Sequence, residues 1–420
     1  TKCLSINMTN KKETTYGEAL REAANYVLEK YPETFVIGQG VWSPWYVGNS
    51  MTNLEKKFGR NRVIDTPTSE SAITGIAVGA ALSGKKSIVV HPRMDFALYA
   101  MDAIINQAAK WSYMFGGQDS PNVTIRTIIN RGGEQGAQHS QALQALFSHI
   151  PGLRVVMPYS VDDARDLFIA SVLSKDPVIF IDDRWLYDNK SNLSPIKEIE
   201  LSKVVPKVIK KGTDLTIVSS GFSSHISLNA AENLVNDGIN IEVIDLRVLS
   251  PLNIKTVVNS VKKTRKLICV DGGWAPCGIS SEVITSVIEN IDVNLLKCSP
   301  HRITLPFTPA PTSKQLEKIY YPSEKKNNRT SKKNSLIMKI INQILNFSRN
   351  KKILILILND LMIIFFSCWA AFFLRIDNIY ITKNLLLLFA ISCSIHIPIF
   401  FLFNNYFSIN RFFSIKSIEQ

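Results

Sequence analysis

The chain has 420 residues, 46% of them hydrophobic, enough for two to four domains of roughly 100 to 200 residues with buried cores. Its net charge of +13 is concentrated at one end: residues 324–420 hold 13 Lys and Arg against 4 Asp and Glu, or +9, leaving +4 for the first 323 residues. That distribution gives no basic groove for nucleic acid in the main body, and six cysteines without a C-x-x-C pair or zinc-type histidine spacing indicate neither a disulfide framework nor a metal site, so reduced cytosolic thiols are expected.

Residues 1–12 are polar and lack the apolar core of a signal peptide. The first residue is Thr, so a fragment or an uncertain start is expected, and residues 1–14 are set aside as an N-terminal extension. Residues 16–30 form the first predicted helix, with Thr15 as its cap ahead of Gly17 and Glu18. Short apolar, β-branched runs then alternate with helical stretches: Phe35-Val36-Ile37, residues 87–90, residues 123–129, Val155-Val156 and Val178-Ile179-Phe180. Buried parallel strands joined by helices read this way. Residues 71–82 are dense in Ala and Gly, which suits a helix packed closely against its neighbours. The first domain is set at residues 15–187.

A polar, then Lys-rich connector covers residues 188–211. A second α/β domain is set at residues 212–322, with strands at 214–218, 241–246 and 266–271 and helices at 223–237 and 253–263. Residues 306–311 lead into a short helix ending near Tyr320. Asp271-Gly272-Gly273-Trp274 lacks the G-x-G-x-x-G spacing of a nucleotide loop and reads as a strand-to-helix turn.

Composition changes abruptly after residue 322. Residues 323–352 read as a basic linker, with Lys325, Lys326, Arg329, Lys332 and Lys333, followed by an amphipathic helix at 336–347. That helix suits a membrane interface or, alternatively, core packing. In the tail, set at residues 353–420, residues 353–374 are long enough to span a bilayer. Residues 385–403 form a second span interrupted by His396 and Pro398. Nine basic residues precede the first span, against Arg375 and Lys383 between the two, so the body is expected on the cytoplasmic face of the inner membrane. Asp360 lies within the first span and is expected to face a partner helix or to lie nearer the interface.

The chemistry is concentrated in two motifs. Asp65-Thr66-Pro67-Thr68-Ser69-Glu70 opens the small-residue helix, and Gln138-His139-Ser140-Gln141 closes the loop Arg131-Gly132-Gly133-Glu134-Gln135-Gly136-Ala137. Alone, Glu70 is a first-turn acid favouring the helix dipole, His139 a structural histidine and Phe96 a core aromatic. Together the pattern closely resembles the pyrimidine-binding half of a thiamine diphosphate enzyme. It is nearest to the β-subunits of the decarboxylating component of 2-oxo acid dehydrogenases, over residues 16–322. The fold class implied is α/β: a pyrimidine-binding domain and a transketolase C-terminal-like domain, each built on a parallel sheet, here followed by a transmembrane helical hairpin.

The resemblance also implies roles. Glu70 would hydrogen-bond the pyrimidine ring nitrogen, Phe96 would stack on the aminopyrimidine, and His139 would face the substrate carboxylate or the acyl intermediate. No Gly-Asp-Gly occurs in the chain, so magnesium and the diphosphate would be held mainly by an α-subunit in an α2β2 heterotetramer with β–β pairing, and a lipoyl acyltransferase would accept the acyl group. Where better-known members read Glu-Phe-Met-Thr-Phe-Asn-Phe, this chain reads Val90-His91-Pro92-Arg93-Met94-Asp95-Phe96. His91 and Arg93 are therefore candidate substrate residues, with Arg93 either recognising an anionic or polar substrate or lying solvated at a strand end. His301-Arg302 and residues 306–311 resemble the family's C-terminal turn, assigned to folding and subunit contact. The tail, through Asn359-Asp360-Leu361 and residues 371–377, resembles the opening of membrane-bound nucleoside-diphosphate sugar dehydratases and epimerases, and implies a fusion or a truncated gene product. The expected function is a pyruvate-type 2-oxo acid dehydrogenase β-subunit. A split transketolase-like two-carbon transferase and an inactive membrane-tethered fusion product are the alternatives.

Overall fold

In the computed structural model, residues 13–323, 349–376 and 382–402 are described, and the chain divides into two units, residues 1–324 and 325–420. Strand β1 (Glu13–Thr15) runs into helix α1 (Tyr16–Lys30) through a capping box. Thr15 Oγ1 accepts from the Glu18 amide at 3.2 Å, and the Glu18 carboxylate accepts from the Thr15 amide at 2.9 Å, satisfying donors that a helix N-terminus leaves unpaired. Then come β2 (Thr34–Gln39), α2 (Leu54–Phe58), β3 (Val63–Thr66), α3 (Glu70–Leu82) and β4 (Lys86–His91). A 3-10 turn (Met94–Ala100) and a π turn (Asp102–Ala108) lead to α4 (Ala109–Met114), β5 (Val123–Ile129), α5 (Gln144–Ser148), β6 (Arg154–Val156), α6 (Val161–Val172) and β7 (Val178–Asp183). β8 (Lys190–Asn192) returns to pair with β1.

The second half holds β9 (Lys207–Lys210), β10 (Leu215–Ser219), α7 (Phe222–Asn233), β11 (Ile241–Asp245), β12 (Val248–Ser250), α8 (Lys255–Thr264), β13 (Leu267–Trp274), α9 (Ile279–Ile288), β14 (His301–Leu305) and α10 (Lys314–Tyr320). The first sheet has the order β12-β6-β7-β5-β4-β2-β3, and the second β14-β13-β10-β11-β9. Pairing is parallel throughout except at one edge of each sheet, where β12 meets β6 and β9 meets β11 antiparallel.

Both faces of the first sheet are covered, and its strands alternate between two cores. Ile37, Val89, Ile125 and Ile179 face one core, shared with α3 and with α8 and α9 of the second half. Val36, Ile88, Val90, Ile128 and Phe180 face the other, under α1 and α6. Burial on both sides is why these strands read as largely apolar, β-branched runs, with β5 also carrying Thr124, Arg126 and Thr127.

Three sequence expectations change. The 188–211 connector contains β8 and all of β9, Asp271–Trp274 continues β13 rather than forming the turn after it, and His301-Arg302 open a strand rather than a turn. β9 and β14 are edge strands with exposed charged residues, so they lack the apolar signature of the central strands.

In the second unit, α11 (Arg349–Ile376) and α12 (Lys383–Leu402) are long and apolar enough to cross a membrane, with Pro398 inside α12. They pack through Phe365 and Phe389, with ring centroids 5.4 Å apart, and through Cys368 Sγ and Ser392 Oγ at 3.5 Å. Asp360 lines a cavity of about 400 Å³ between them, with Ser392 and His396. The basic residues 325–333 and the amphipathic stretch 336–347 lie outside the described residues.

Candidate active site

Because β2, β3, β4, β5 and β7 run parallel, their carboxyl ends lie along one edge, where open α/β sheets bind ligands. Asp65, near the end of β3, ties that edge together: its Oδ1 accepts from the Gly40 amide at 2.6 Å and from the Thr66 amide at 3.1 Å. Gly40 has φ +66°, and a Cβ there would come within 2.5 Å of the Tyr46 ring, so the turn requires glycine. This bracing feeds Thr66-Pro67 into α3, whose first residue is Glu70. The Glu70 side chain is half-buried and makes no hydrogen bond or ion pair among the described residues. One turn on, Thr74 Oγ1 bonds His91 Nε2 at 3.0 Å. His91 is 1% exposed, and burial pushes its imidazole down to about 4, so it is neutral at physiological pH. It lies beneath the cleft surface, supporting α3.

Two loops meet over the ends of β4 and β5. Asp95, 5% exposed, accepts from the Gln141 amide at 3.1 Å, and burial holds its carboxyl above the usual range against the opposing pull of Gln141 and His139. Arg93 Nη2 and Asn130 Nδ2 both donate to Gln135 Oε1, at 3.3 and 3.1 Å. Phe96 and His139 meet edge to face, with centroids 5.2 Å apart at 87°, a favoured aromatic geometry. The histidine loop is braced from the second half, where Glu317 accepts from the Glu134 amide at 3.2 Å. Gly136, at φ +75°, lies so close to Thr312 that a Cβ would come within 2.5 Å of its methyl group.

Beneath the loops is a buried ion pair. Arg126 Nε and Nη2 donate to Asp182 Oδ1 and Oδ2 at 2.9 and 2.8 Å, and the remaining donors reach Ser50 Oγ at 2.7 Å and the Tyr187 hydroxyl at 2.8 Å. Arg131 and Asp183 form a second pair at 3.1 Å. Of the residues singled out in the sequence, Arg93, Phe96 and His139 are brought together by the two loops. Glu70 lies on the same sheet edge at the start of α3, and His91 lies below. Asp95 and Gln135 were missed. Asp95 and Gln135 lie inside motifs already quoted, but their pairing across the two loops has no local signal.

Residues 12–190 match the family model of the transketolase pyrimidine-binding domain and residues 206–326 that of the transketolase C-terminal domain. The pyruvate dehydrogenase E1 component β-subunit of Rickettsia bellii is 37% identical over 313 residues, covering 74% of this chain and 95% of that protein. The chain belongs to the pyruvate dehydrogenase E1 β-subunit family. Within that family the mitochondrial β-1 subunit of Arabidopsis thaliana is 36% identical, covering 74% of this chain and 86% of the plant protein. The β-subunit of the acetoin:2,6-dichlorophenolindophenol oxidoreductase of Cupriavidus necator is also 36% identical, over 73% of this chain and 92% of its own length. A solved split-gene transketolase, an inactive β4 tetramer, has the same fold with a TM-score of 0.60 and 21% identity over 74% of this chain and 94% of its own. The E1 β-like part of the chain is thus its first three quarters, and α11 and α12 lie beyond both family matches.

Proposed function

We propose that this chain is the catalytically competent β-subunit of a thiamine diphosphate-dependent 2-oxo acid dehydrogenase, which decarboxylates a pyruvate-type substrate and passes the acyl group to a lipoyl or other acceptor. The observation that carries the reading is the gathering of an unpartnered carboxylate, Glu70, and the Phe96–His139 pair on one sheet edge, in a chain of this family. These residues fit the cofactor: a half-buried acid and a half-buried aromatic ring suit an aminopyrimidine. When bound, thiamine diphosphate supplies a carbon nucleophile and takes up the electrons left when carbon dioxide departs.

The protein's own residues do the rest. Glu70 would hold a proton at the ring nitrogen. Phe96 would stack on the ring and, by its edge contact with His139, orient that imidazole, which would donate a hydrogen bond or proton to the substrate's oxygen atoms. Arg93 faces the substrate side chain, while His91 keeps α3 in place and makes no substrate contact. Without Gly-Asp-Gly in this chain, the magnesium and diphosphate are assigned to an α-subunit, in an α2β2 assembly whose β-subunits pair through residues 212–322. The α11–α12 hairpin tethers residues 15–322 to the cytoplasmic face of a membrane.

The test is co-purification with an α-subunit carrying Gly-Asp-Gly, followed by carbon dioxide release from pyruvate. Glu70→Ala abolishes turnover while the complex still assembles. Wild-type decarboxylation by that variant overturns the assignment, and turnover of a ketose phosphate in place of pyruvate favours the transketolase-like alternative.

A further inference from the structure

Arg93 follows β4 and Arg184 follows β7, on either side of β5, and the register His91–Thr127 and Ile129–Asp183 brings the two positions level at the carboxyl end of the sheet. Burial together with Arg184 holds Arg93 below its ordinary proton affinity. Neither forms an ion pair among the described residues. Among the described residues, Arg93 donates only to the Pro92 carbonyl and Gln135 Oε1, each at 3.3 Å, and Arg184 only to the Trp45 and Tyr46 carbonyls, at 3.2 and 2.6 Å. There the Nε of each is buried without a hydrogen-bond partner. Asp95 is a carboxylate that bears on Arg93 without forming an ion pair with it among the described residues: its Oδ1 accepts from the Gln141 amide and its Oδ2 is buried without a hydrogen-bond partner there.

Other buried and half-buried arginines differ. Arg126, Arg131, Arg165 and Arg247 each have a carboxylate within 3.1 Å. Arg62, which has none, spends Nε and Nη2 on the Leu28, Tyr31 and Thr34 carbonyls. Two like charges with unused buried donors cost free energy unless an anion joins them. Arg93 bonds Gln135 of the histidine loop, and Arg184 follows β7 at the same end of the sheet, level with the end of β5.

We propose that Arg93 and Arg184 bind a second anionic group on the substrate, a carboxylate or phosphonate on the side chain of the 2-oxo acid. This rests on the reading of the cleft as a 2-oxo acid site. The carboxylate that leaves as carbon dioxide is a poor occupant, because two guanidinium groups gripping it would stabilise the ground state and slow its loss. A non-reacting group gains from the same grip, since its binding energy helps to position the reacting centre.

The test uses the α-assembled full chain. The kcat/KM is compared for 2-oxoglutarate, phosphonopyruvate and the neutral, equal-length 2-oxovalerate, and glutarate and valerate are titrated calorimetrically as non-reacting probes. At least one anionic substrate is expected to exceed 2-oxovalerate by about tenfold or more, equivalent to about 1.4 kcal/mol. Arg93→Gln and Arg184→Gln each bring that ratio down toward one, and Arg93→Lys keeps part of it. Equal use of anionic and neutral substrates by the wild-type enzyme overturns the proposal and leaves the 2-oxo acid reaction standing. Arginine-dependent glutarate binding without turnover of any 2-oxo acid supports the anion site and sinks the reaction instead. Loss of α-subunit assembly in both Gln variants, with no anion preference in the wild type, makes the pair a subunit contact and overturns the proposal.

Discussion

Replacing Asp182 with Ala removes one half of a fully buried ion pair. Arg126 and Asp182 are both 0% exposed, and the substitution strips two charge-assisted hydrogen bonds of 2.9 and 2.8 Å from the guanidinium. It also removes the acceptor of the Tyr187 hydroxyl. Breaking a buried pair from one side costs about 3 to 5 kcal/mol, because the remaining charge stays desolvated. With an unfolding entropy of about 2.1 cal/mol/K per residue over roughly 300 residues, that is a fall in Tm of about 5 to 8 °C. Arg126→Met/Asp182→Leu removes both charges and recovers most of the loss. Thermal melts of the full chain in detergent, followed by circular dichroism, read both values. A fall of under 2 °C for the single variant, or a double variant as unstable as the single, refutes the reasoning. Activity follows stability, since Arg126 also holds Ser50 and Tyr187 beneath the cleft.

Phe96→Ala should weaken thiamine diphosphate binding to the α-assembled enzyme by about tenfold, from roughly 1.5 kcal/mol of lost aromatic contact; an unchanged titration curve counts against the stacking role. His91 has its folded value depressed to about 4, so its contribution is intact above about 6.5 and is lost as pH falls toward 4, by about 3 kcal/mol in total. His91→Gln should flatten that part of the urea-stability profile, and a wild-type-minus-variant difference independent of pH rejects this. Asp245 runs the other way. Burial raises it to about 8, so its contribution is present below about 4 and is lost as pH rises through 8, and Asp245→Asn should gain stability over wild type across that window. Removing residues 349–420 should shift the chain from the membrane pellet to the supernatant, and an unaltered partition argues against the tether.

Legibility in the sequence followed the range of the interactions. α1 was readable to its exact ends because Thr15 and Glu18, three residues apart, write the cap locally. The central strands of the first sheet were readable from apolar runs such as Val178-Ile179-Phe180-Ile181, which burial on two sides favours. β9 and β14 were hidden because edge strands face water and keep their lysines, histidine and arginine. At the candidate site, Glu70 and His139 were singled out from their motifs, and family membership bears out the resemblance those motifs carried. The burial of His91 was not readable, since it depends on Thr74 seventeen residues earlier. Arg184 lies 91 positions from Arg93, beyond the reach of any local pattern.

The crossing of β12 into the first sheet has a practical meaning. Only Leu246 and Arg247 separate β11, a strand of the second sheet, from β12, which borders β6 in the first. The halves are stitched rather than strung, so a chimera that grafts a foreign C-terminal half at residue 212 must import a matching border strand. Without one, the three-residue β6 would present bare amides and carbonyls, an invitation to pair with another copy and precipitate.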